Sequence, residues 1–357
     1  MRNKTVKNRS EIVFLYDIKD TNPNGDPDEN RPRIDEETSI NLVTDVRLKR
    51  TIRDYLANYK SKEIFIIEEK REDETQKSRT RRLAEFIIKI KEKDNSKFEN
   101  WDVDTNTLNK MNDTEIEKEI KNKISIKELE ELLLELYLDI RLFGATIAVK
   151  ESTITKIGPV QFKFGRSLHK VEDKRIPGTT VLPSREGVKQ GTFTEIYMLP
   201  YSLICFYGII NENAAKSTNL TEDDVKDLLE GIWNGTKNLI TRSKVGQVPR
   251  LLLRVIYKEN NFHIGDLDKK IRLLDNDNKE IDKDGISGKK IRNISDIKID
   301  ITKLLNTLDS HKEKIEKVEC KVNEDVVFTV SSSDFRGSDI EKELKKITRV
   351  EKLNFKE

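Results

Sequence analysis

Residues 20–33 read Asp-Thr-Asn-Pro-Asn-Gly-Asp-Pro-Asp-Glu-Asn-Arg-Pro-Arg, and residues 44–53 read Thr-Asp-Val-Arg-Leu-Lys-Arg-Thr-Ile-Arg. The first stretch combines prolines and a glycine with many Asn and Asp side chains, so neither a helix nor a strand passes through it. The apolar residues 12–16 before it predict a buried strand. The second stretch predicts a helix with Thr44 as its N-cap. A long polar loop between a buried strand and a helix is a common place for a functional site.

Bulk composition restricts the class of protein. A length of 357 residues allows two domains, or one domain with large insertions. Charged residues make up 37% and hydrophobic residues 35%, which predicts an open shape or a subunit that buries itself in an assembly. The net charge is +2, so any anion site must be a local concentration of cations. Cys205 and Cys320 form no metal or disulfide pattern, and with no apolar leader or transmembrane run we expect a cytoplasmic protein without a membrane partner.

Strand and helix patterns alternate along the rest of the chain. After the first strand and helix, residues 63–67 predict a second strand and residues 193–210 a central strand. Residues 221–239 predict a helix, and residues 250–257 another core strand. Without the intervening segments the order is βαββαβ, which predicts an α+β fold with a ferredoxin-like or RNA-recognition-motif core.

The intervening segments define a predicted domain organisation. The core is expected to comprise residues 10–70 and 143–258, with a helical insertion at 71–142. Residues 259–357 are expected to form a charged C-terminal extension. Its stretch from 266 to 317 is predicted to contribute little to a core, apart from a helix near Ile301 to Leu308, and a hairpin is predicted from Val318 to Val330.

Three groups of basic and hydrogen-bonding residues are candidates for binding phosphates. The first is an anion clamp in which the loop faces the start of the helix, and it comprises Asn22, Asn24, Gly25, Arg31, Arg33, Thr44, Arg47, Lys49, Arg50 and Arg53. The second follows a strand with Val160, Phe162 and Phe164 on its core face, and it comprises Gln161, Lys163, Arg166, Ser167, His169 and Lys170. The third lies at a helix end and comprises Lys237, Arg242 and Lys244. Such contacts hold a nucleic-acid backbone without reading its sequence.

Metal-dependent chemistry is the alternative for the loop. Its first residues resemble a calcium-binding loop, but the twelfth position is Arg31 and the prolines break the required backbone. Asp26 and Asp28 could hold a divalent metal in a nuclease, although two carboxylates at this spacing are a weak signal. The histidines show no ligand spacing, and no phosphate-binding glycine loop or nucleophile triad is present. The sequence therefore predicts no cofactor, no resident metal and no enzyme.

Five motifs in order resemble the Cas-seven family, the backbone subunits of type I CRISPR Cascade complexes. The motifs are Asn22-Pro-Asn-Gly-Asp26, Leu42-Val-Thr-Asp-Val-Arg-Leu-Lys-Arg50, Asp139-Ile-Arg-Leu-Phe-Gly-Ala145, Gly158-Pro-Val-Gln-Phe-Lys-Phe-Gly-Arg-Ser-Leu-His169, and Gly235-Thr-Lys with Thr241-Arg-Ser-Lys244. The pattern is most similar to the Csh-type branch of subtype I-B. The similarity extends over about residues 10–258.

The resemblance implies a hand-shaped molecule with a modified RNA-recognition-motif core, whose copies stack along a CRISPR guide RNA. It implies a thumb hairpin at about residues 158–192 that kinks the RNA. The expected partners are the guide RNA, the target DNA strand paired to it, further copies of the chain, and the large, Cas-five-like and guide-processing subunits. Type I members of the family have no nuclease activity, whereas related type III subunits cleave RNA with a loop aspartate. The alternatives are therefore an endoribonuclease that uses Asp26 and Asp28, and a regulator that binds one short RNA motif.

Overall fold

The computed structural model describes residues 5–68, 76–94, 96–149, 152–179 and 193–355. The chain divides into two compact units. The helical unit comprises the described parts of Met1–Val6, Leu56–Val160 and Asn213–Lys226, and the sheet unit comprises those of Lys7–Tyr55, Gln161–Glu212 and Asp227–Glu357. Each unit has its own hydrophobic core. Within the described ranges, no helix is long and apolar enough to cross a membrane.

The described elements have the following bounds. The strands are β1 (Ser10–Thr21), β2 (Ile34–Asp35), β3 (Ile40–Val43), β4 (Gly144–Val149), β5 (Ser152–Ile157), β6 (Val160–Phe162), β7 (Gly165–Lys170), β8 (Lys174–Thr179), β9 (Phe193–Ile210), β10 (Val248–Tyr257), β11 (Arg272–Leu274), β12 (Lys298–Asp300), β13 (Ile315–Val322), β14 (Val327–Val330), β15 (Ser333–Arg336) and β16 (Val350–Lys352). The helices are α1 (Asp45–Lys60), α2 (Arg79–Lys93), α3 (Thr105–Lys110), α4 (Asp113–Lys123), α5 (Ile126–Leu136), α6 (Leu138–Phe143), α7 (Glu212–Thr218), α8 (Glu222–Lys237), α9 (Thr302–Ser310) and α10 (Ile340–Lys345).

The main sheet of the sheet unit runs in the order β16-β13-β10-β1-β9-β7-β3-β2, and β8 forms a further antiparallel pair with β9. The predicted strands β1, β9 and β10 are confirmed and lie together at its centre. β1 pairs antiparallel with both neighbours, so that Phe14 lies opposite Phe206 and Leu252. Its first nine residues are buried, because the strand is covered on both faces. A continuous apolar run is the sequence signature of that position.

Glu11 is a fully buried carboxylate in this apolar strand. It accepts hydrogen bonds from the hydroxyl groups of Tyr207 on β9 and Tyr257 on β10. It also accepts the backbone N–H groups of Ile264 and Gly265, each at 2.9 Å. Burial, reinforced by Glu11, raises the pKa of both tyrosines. One carboxylate thus joins β1, β9, β10 and the loop that follows β10.

Residues 63–67 do not form a strand, and that prediction is wrong. The backbone N–H groups of Phe65 and Ile66 donate to the carboxylate of Asp139, at 2.8 and 3.0 Å. The ring of Phe65 packs against Tyr137 with 5.2 Å between the centroids. The apolar run is therefore explained by the core of the helical unit, and β7 occupies the position beside β9 in the main sheet.

The helical unit contains the amphipathic helices that the sequence predicts between residues 71 and 142. Its core is formed by apolar side chains of α2, α4 and α5 together with neighbouring loop residues, among them Leu83, Phe86, Ile87, Trp101, Ile116, Ile120, Leu129 and Leu133. The short helix α3 lies in a polar part of this unit. Asp104 begins it by accepting the N–H of Thr107 at 2.7 Å.

The C-terminal residues contribute much of the core of the sheet unit, so the prediction of little core between 266 and 317 is wrong. Strands β11, β12, β14 and β15 form a second sheet in that order. Single aliphatic residues separated by charged ones are buried there, among them Leu267, Ile271, Leu273, Ile281, Ile291, Ile294, Ile297 and Ile299. Because these aliphatic residues are isolated among charged ones, they form no apolar run that would predict a buried element from sequence. Helix α9 is confirmed.

The predicted hairpin from Val318 to Val330 is also wrong, because its two strands belong to different sheets. β13 pairs with β10 and β16 in the main sheet. β14 pairs with β12 and β15 in the second sheet. The short connection between them looks like a hairpin turn in sequence, but each strand finds a more distant partner.

The turn between β14 and β15 provides a stability prediction. Ser331 and Ser332 are its two central residues, with φ values of 49° and 69°. Positive φ at both positions is typical of a type I′ turn, which favours Asn-Gly, whereas other residues pay about 1–2 kcal/mol for this conformation. We expect Ser331→Asn combined with Ser332→Gly to raise the free energy of unfolding by about 1–2 kcal/mol in urea titrations. The control Ser331→Ala/Ser332→Ala should give no gain, and equal stability of all three proteins would contradict the turn assignment.

Candidate nucleic-acid interface

The loop at residues 20–33 is fixed by its own side chains. Asn22 is buried, its side-chain amide donates to the carbonyl of Asn30 at 2.7 Å, and its backbone N–H donates to the carbonyl of Ser243 at 2.9 Å. At Gly25 a Cβ would lie 1.9 Å from Oδ1 of Asn30, so a larger residue there would displace the exposed Asn30 side chain. Asn22, predicted as an RNA contact, thus fixes the loop and links it to the segment that follows α8, whereas Gly25, also predicted as a contact, pairs with Pro32 inside the loop.

Asn24 connects the loop to the start of α1. Its Oδ1 accepts the backbone N–H of Thr44 at 2.9 Å and lies 3.0 Å from the Thr44 hydroxyl. Thr44 in turn accepts the N–H of Arg47 at 3.2 Å, which confirms the predicted N-cap. The structure therefore brings together the loop and the helix of the predicted anion clamp.

Three of the predicted cations on α1 are engaged within the protein. Lys49 pairs with Asp45 at 2.9 Å and Arg50 pairs with Asp54 at 2.8 Å, each one turn away on the same helix. Arg53 is buried, with 8% of its surface exposed. These contacts reduce the charge that the helix can offer to an anion. The two acidic partners at i−4 and i+4 were readable in the sequence and were missed.

Arg47 differs from the other cations of α1. Burial lowers its pKa against the opposing charge of Asp54, and Arg50 adds a smaller lowering effect. Its Nη2 donates to the hydroxyl of Thr51 at 3.0 Å, whereas its buried Nε has no acceptor. In the described part of the chain, no carboxylate lies within ion-pair distance of this guanidinium.

Lys244 and Gln247 complete what we call the Arg47–Lys244 site. Burial lowers the pKa of Lys244, and the charge of Arg47 lowers it further, so the two cations are close and partly desolvated. Among the residues described, Lys244 also has no carboxylate partner. Gln247 and Arg47 both line a cavity of about 10 Å³, and the Nε2 of Gln247 is buried without an acceptor. The sequence indicated Lys244 but not Gln247, because a lone glutamine at a strand entrance carries no pattern.

The remaining cations near this site vary in exposure. Arg33 is half-buried, its Nε lacks an acceptor, and its backbone N–H donates to the carbonyl of Asn24 at 3.3 Å. Lys237 and Arg242 are exposed at the end of α8 and in the loop after it. Arg31 is engaged instead by Asp173, at 3.0 Å.

In the second predicted group, which begins at Gln161, the exposed cations have acidic side chains as partners. Gln161, Lys163 and Arg166 are exposed. The amine of Lys163 lies 2.7 Å from Asp266 and 4.6 Å from the ring centroid of Tyr207, and Arg166 lies 3.7 Å from Asp35. Together with Lys269, Lys163 holds the pKa of Asp266 at about 2.

Ser167 and His169 are buried, so their assignment to an RNA-facing surface is wrong. The hydroxyl of Ser167 accepts the N–H of Asn41 at 2.9 Å and donates to the carbonyl of His169 at 2.7 Å. The Nε2 of His169 accepts the N–H of Leu203 at 3.2 Å, and its Nδ1 lies 2.9 Å from the carbonyl of Lys170. Burial lowers the pKa of His169. Phe164, predicted to be core, is 51% exposed because the chain leaves strand geometry between β6 and β7.

Asp26 and Asp28, the alternative metal pair, lie in an exposed turn. Oδ1 of Asp26 accepts the backbone N–H groups of Asp28 and Glu29, at 3.0 and 2.8 Å. These bonds, led by the one from Glu29, lower the pKa of Asp26. Within the described residues, no group of three or more His, Cys, Asp or Glu side chains could hold a metal ion. The thumb predicted at 158–192 lies partly outside the described residues, from 180 to 192.

Partly desolvated cations and unpartnered buried donors, with no carboxylate at ion-pair distance among the described residues, form a site whose chemistry suits an anion. The family model of CRISPR-associated protein Cas7 matches residues 8–302. A CRISPR-associated protein Cas7 from Haloferax volcanii is 31% identical over 333 residues, which cover 87% of this chain and 86% of that protein. The chain therefore belongs to the Cas7, or Cas-seven, family.

Solved structures of CRISPR surveillance complexes contain chains that are similar to this one. A chain from a CRISPR RNA-guided surveillance complex, pre-nicking, superimposes with a TM-score of 0.54 at 12% identity, covering 96% of each chain. A chain from a CRISPR RNA-guided surveillance complex gives a TM-score of 0.46 at 11% identity, covering 88% of each chain. The first comparison shows that the mixed α+β fold is shared with a subunit of such a complex, which agrees with the predicted fold class.

Proposed function

We propose that the chain is a non-catalytic, guide-RNA-binding backbone subunit of a type I Cascade complex. The observation that carries the proposal is the Arg47–Lys244 site. Two partly desolvated cations with no carboxylate at ion-pair distance among the described residues cost stability unless an anion occupies the site. The buried Nε of Arg47 and Nε2 of Gln247 lack acceptors beside a cavity of about 10 Å³, which has room for about one water molecule, and such a water would link them to a phosphate bound outside.

RNA is the anion that best fits the surroundings. Arg33 and Arg242 provide further cationic side chains on the segments that Asn24 and Asn22 connect to the site. A row of cations contacts successive phosphates of a strand and does not read its bases. Sequence tolerance is what a subunit needs when base pairing of the guide selects the target.

The sheet supports a modified RNA-recognition-motif core. Strands β10, β1, β9 and β7 are neighbours in that order and mutually antiparallel. A βαββαβ chain produces such an arrangement when its fourth, first, third and second strands lie side by side. Helices α1 and α8 follow β1 and β9 as this topology requires. β7 then takes the place of the second strand.

The family relationship and the proposed site together suggest the partners. We propose that several copies bind along one guide, with the target DNA strand paired to it and the large, Cas-five-like and guide-processing subunits nearby, in the cytoplasm. Within the family, the motif pattern supports the Csh-type branch of subtype I-B. For the absence of catalysis, the support is that Asp26 is occupied with capping its own turn.

Binding of guide-length RNA tests this function. Two single-stranded RNAs with identical ends and scrambled central sequences should bind with similar affinity, and light scattering after gel filtration should show more than one copy for each RNA. Binding of a single short motif only would favour the regulator, and absence of binding would overturn the proposal. Both RNAs should stay intact with Mg²⁺, whereas cleavage abolished by Asp26→Ala would establish the endoribonuclease.

A further inference from the structure

Arg31 contacts both sides of the hairpin formed by β8 and β9. Its Nη2 and Nε lie 3.0 and 3.2 Å from Oδ2 of Asp173, the residue that immediately precedes β8. Its guanidinium carbon lies 4.9 Å from the ring centroid of Tyr197 on β9. A planar guanidinium that pairs with a carboxylate and covers an aromatic ring has a defined orientation. One side chain therefore holds the base of the hairpin from two directions.

Each end of this connection is itself fixed. On the hairpin, Tyr197 pairs in register with Arg175, and both side chains bind Glu195. On the loop, the carbonyl of Arg31 accepts the N–H of Asp26 at 2.8 Å, and Pro32 forms a bridge with Gly25. The contact thus joins the rigid loop beside α1 to the base of the hairpin, and both elements belong to the sheet unit.

We propose that Arg31 is a positioning residue for the β8–β9 hairpin and not a phosphate ligand, an inference that rests on the proposed function only where it concerns RNA. The guanidinium gives two of its five N–H donors to Asp173 and lies against Tyr197, so its charge is already paired and its orientation is set by the hairpin. By holding the hairpin against the loop, Arg31 sets where the exposed hairpin meets an RNA strand bound at the Arg47–Lys244 site.

Hydrogen exchange of the RNA-free protein tests the contact itself. We expect Arg31→Gln and Asp173→Asn each to accelerate amide exchange in β8 and in residues 195–198 of β9 by about 3- to 10-fold, because one charge-assisted contact is lost. The double variant should exchange no faster than either single variant. The control pair Lys342→Gln and Asp339→Asn breaks an exposed ion pair on the same unit and should leave this hairpin unchanged. Unchanged hairpin exchange, or additive effects, would overturn the proposal.

The direction in which Asp173→Asn changes RNA affinity distinguishes a positioning role of Arg31 from direct contact with phosphate. If Arg31 were a phosphate ligand, Asp173→Asn would release it and tighten binding. If Arg31 positions the hairpin, Asp173→Asn should weaken binding about as much as Arg31→Gln, although it removes a negative charge. Tighter binding by Asp173→Asn would overturn the positioning role. Absence of RNA binding by the wild type would remove the proposed function, while the exchange experiment would still decide the contact.

Discussion

Replacing Glu11 by glutamine is expected to lower the free energy of unfolding by about 3–5 kcal/mol, the largest effect on stability that we predict for a single substitution. The carboxylate accepts four hydrogen bonds, two from phenols and two from backbone N–H groups, in a fully buried position. A glutamine amide has one oxygen and one NH₂ group, so two of the four donors lose their acceptor, and one backbone N–H faces the NH₂ group directly. Calorimetry should show the unfolding transition of the sheet unit about 10 °C lower.

The control is a carboxylate of the same unit that is exposed. Glu259→Gln should change the transition temperature by less than about 1 °C, because its contact with Lys314 is solvated. Tyr207→Phe and Tyr257→Phe should each cost less than Glu11→Gln, since each removes one donor and leaves the carboxylate with three. A Glu11→Gln protein as stable as the Glu259→Gln control would contradict the role assigned to Glu11.

Replacing Arg47 and Lys244 together by glutamine is expected to weaken RNA binding by about 100-fold or more, the largest functional effect that we predict. Each cation provides a charge-assisted hydrogen bond, and such a bond contributes about 1.5–3 kcal/mol. The free protein should be no less stable than the wild type, because the change removes two desolvated like charges that have no carboxylate partner in the described part of the chain. Fluorescence anisotropy with labelled RNA and a thermal melt measure the two results.

The comparison variants for this experiment lie on the same unit. Arg50→Gln removes a cation that Asp54 already neutralises, so its effect on RNA binding should be several-fold smaller than that of Arg47→Gln. Lys342→Gln removes a cation from α10 and corrects for net charge. Equal losses for Arg47→Gln and Arg50→Gln would mean that α1 contributes only a general positive field. A destabilised double variant would mean that the two cations serve the fold.

The sequence predicted those strands and helices whose apolar pattern lies within the element itself. The apolar runs of β1, β9 and β10 and the stripes of α1 and α8 correspond to observed strands and helices. Local patterns do not predict contacts between residues that are far apart in the chain, because a short apolar segment such as residues 63–67 suits a sheet and a helical core equally well. The hydrogen bond from Phe65 to Asp139, more than 70 residues away in the sequence, holds this segment in the helical core.

In the candidate site, too, local patterns predicted some residues, whereas others depend on the fold. The cap at Thr44 and the cations Arg47 and Lys244 were found from residue type and helix polarity. Ser167 and His169 were misplaced, because polar residues on a strand look alike in sequence whether they face water or find buried partners. Gln247 was missed because only the fold brings it to the cavity beside Arg47.

The salt dependence of RNA binding tests the central claim, phosphate binding at the Arg47–Lys244 site, most directly. For single-stranded RNA, each neutralised phosphate contributes about 0.7 to the slope of the logarithm of affinity against the logarithm of salt concentration. Titrations between about 50 and 200 mM KCl should therefore give a slope smaller by about 1.4 for Arg47→Gln/Lys244→Gln than for the wild type, and an unchanged slope for Lys342→Gln. A double variant that binds RNA with the wild-type slope would contradict phosphate binding at this site.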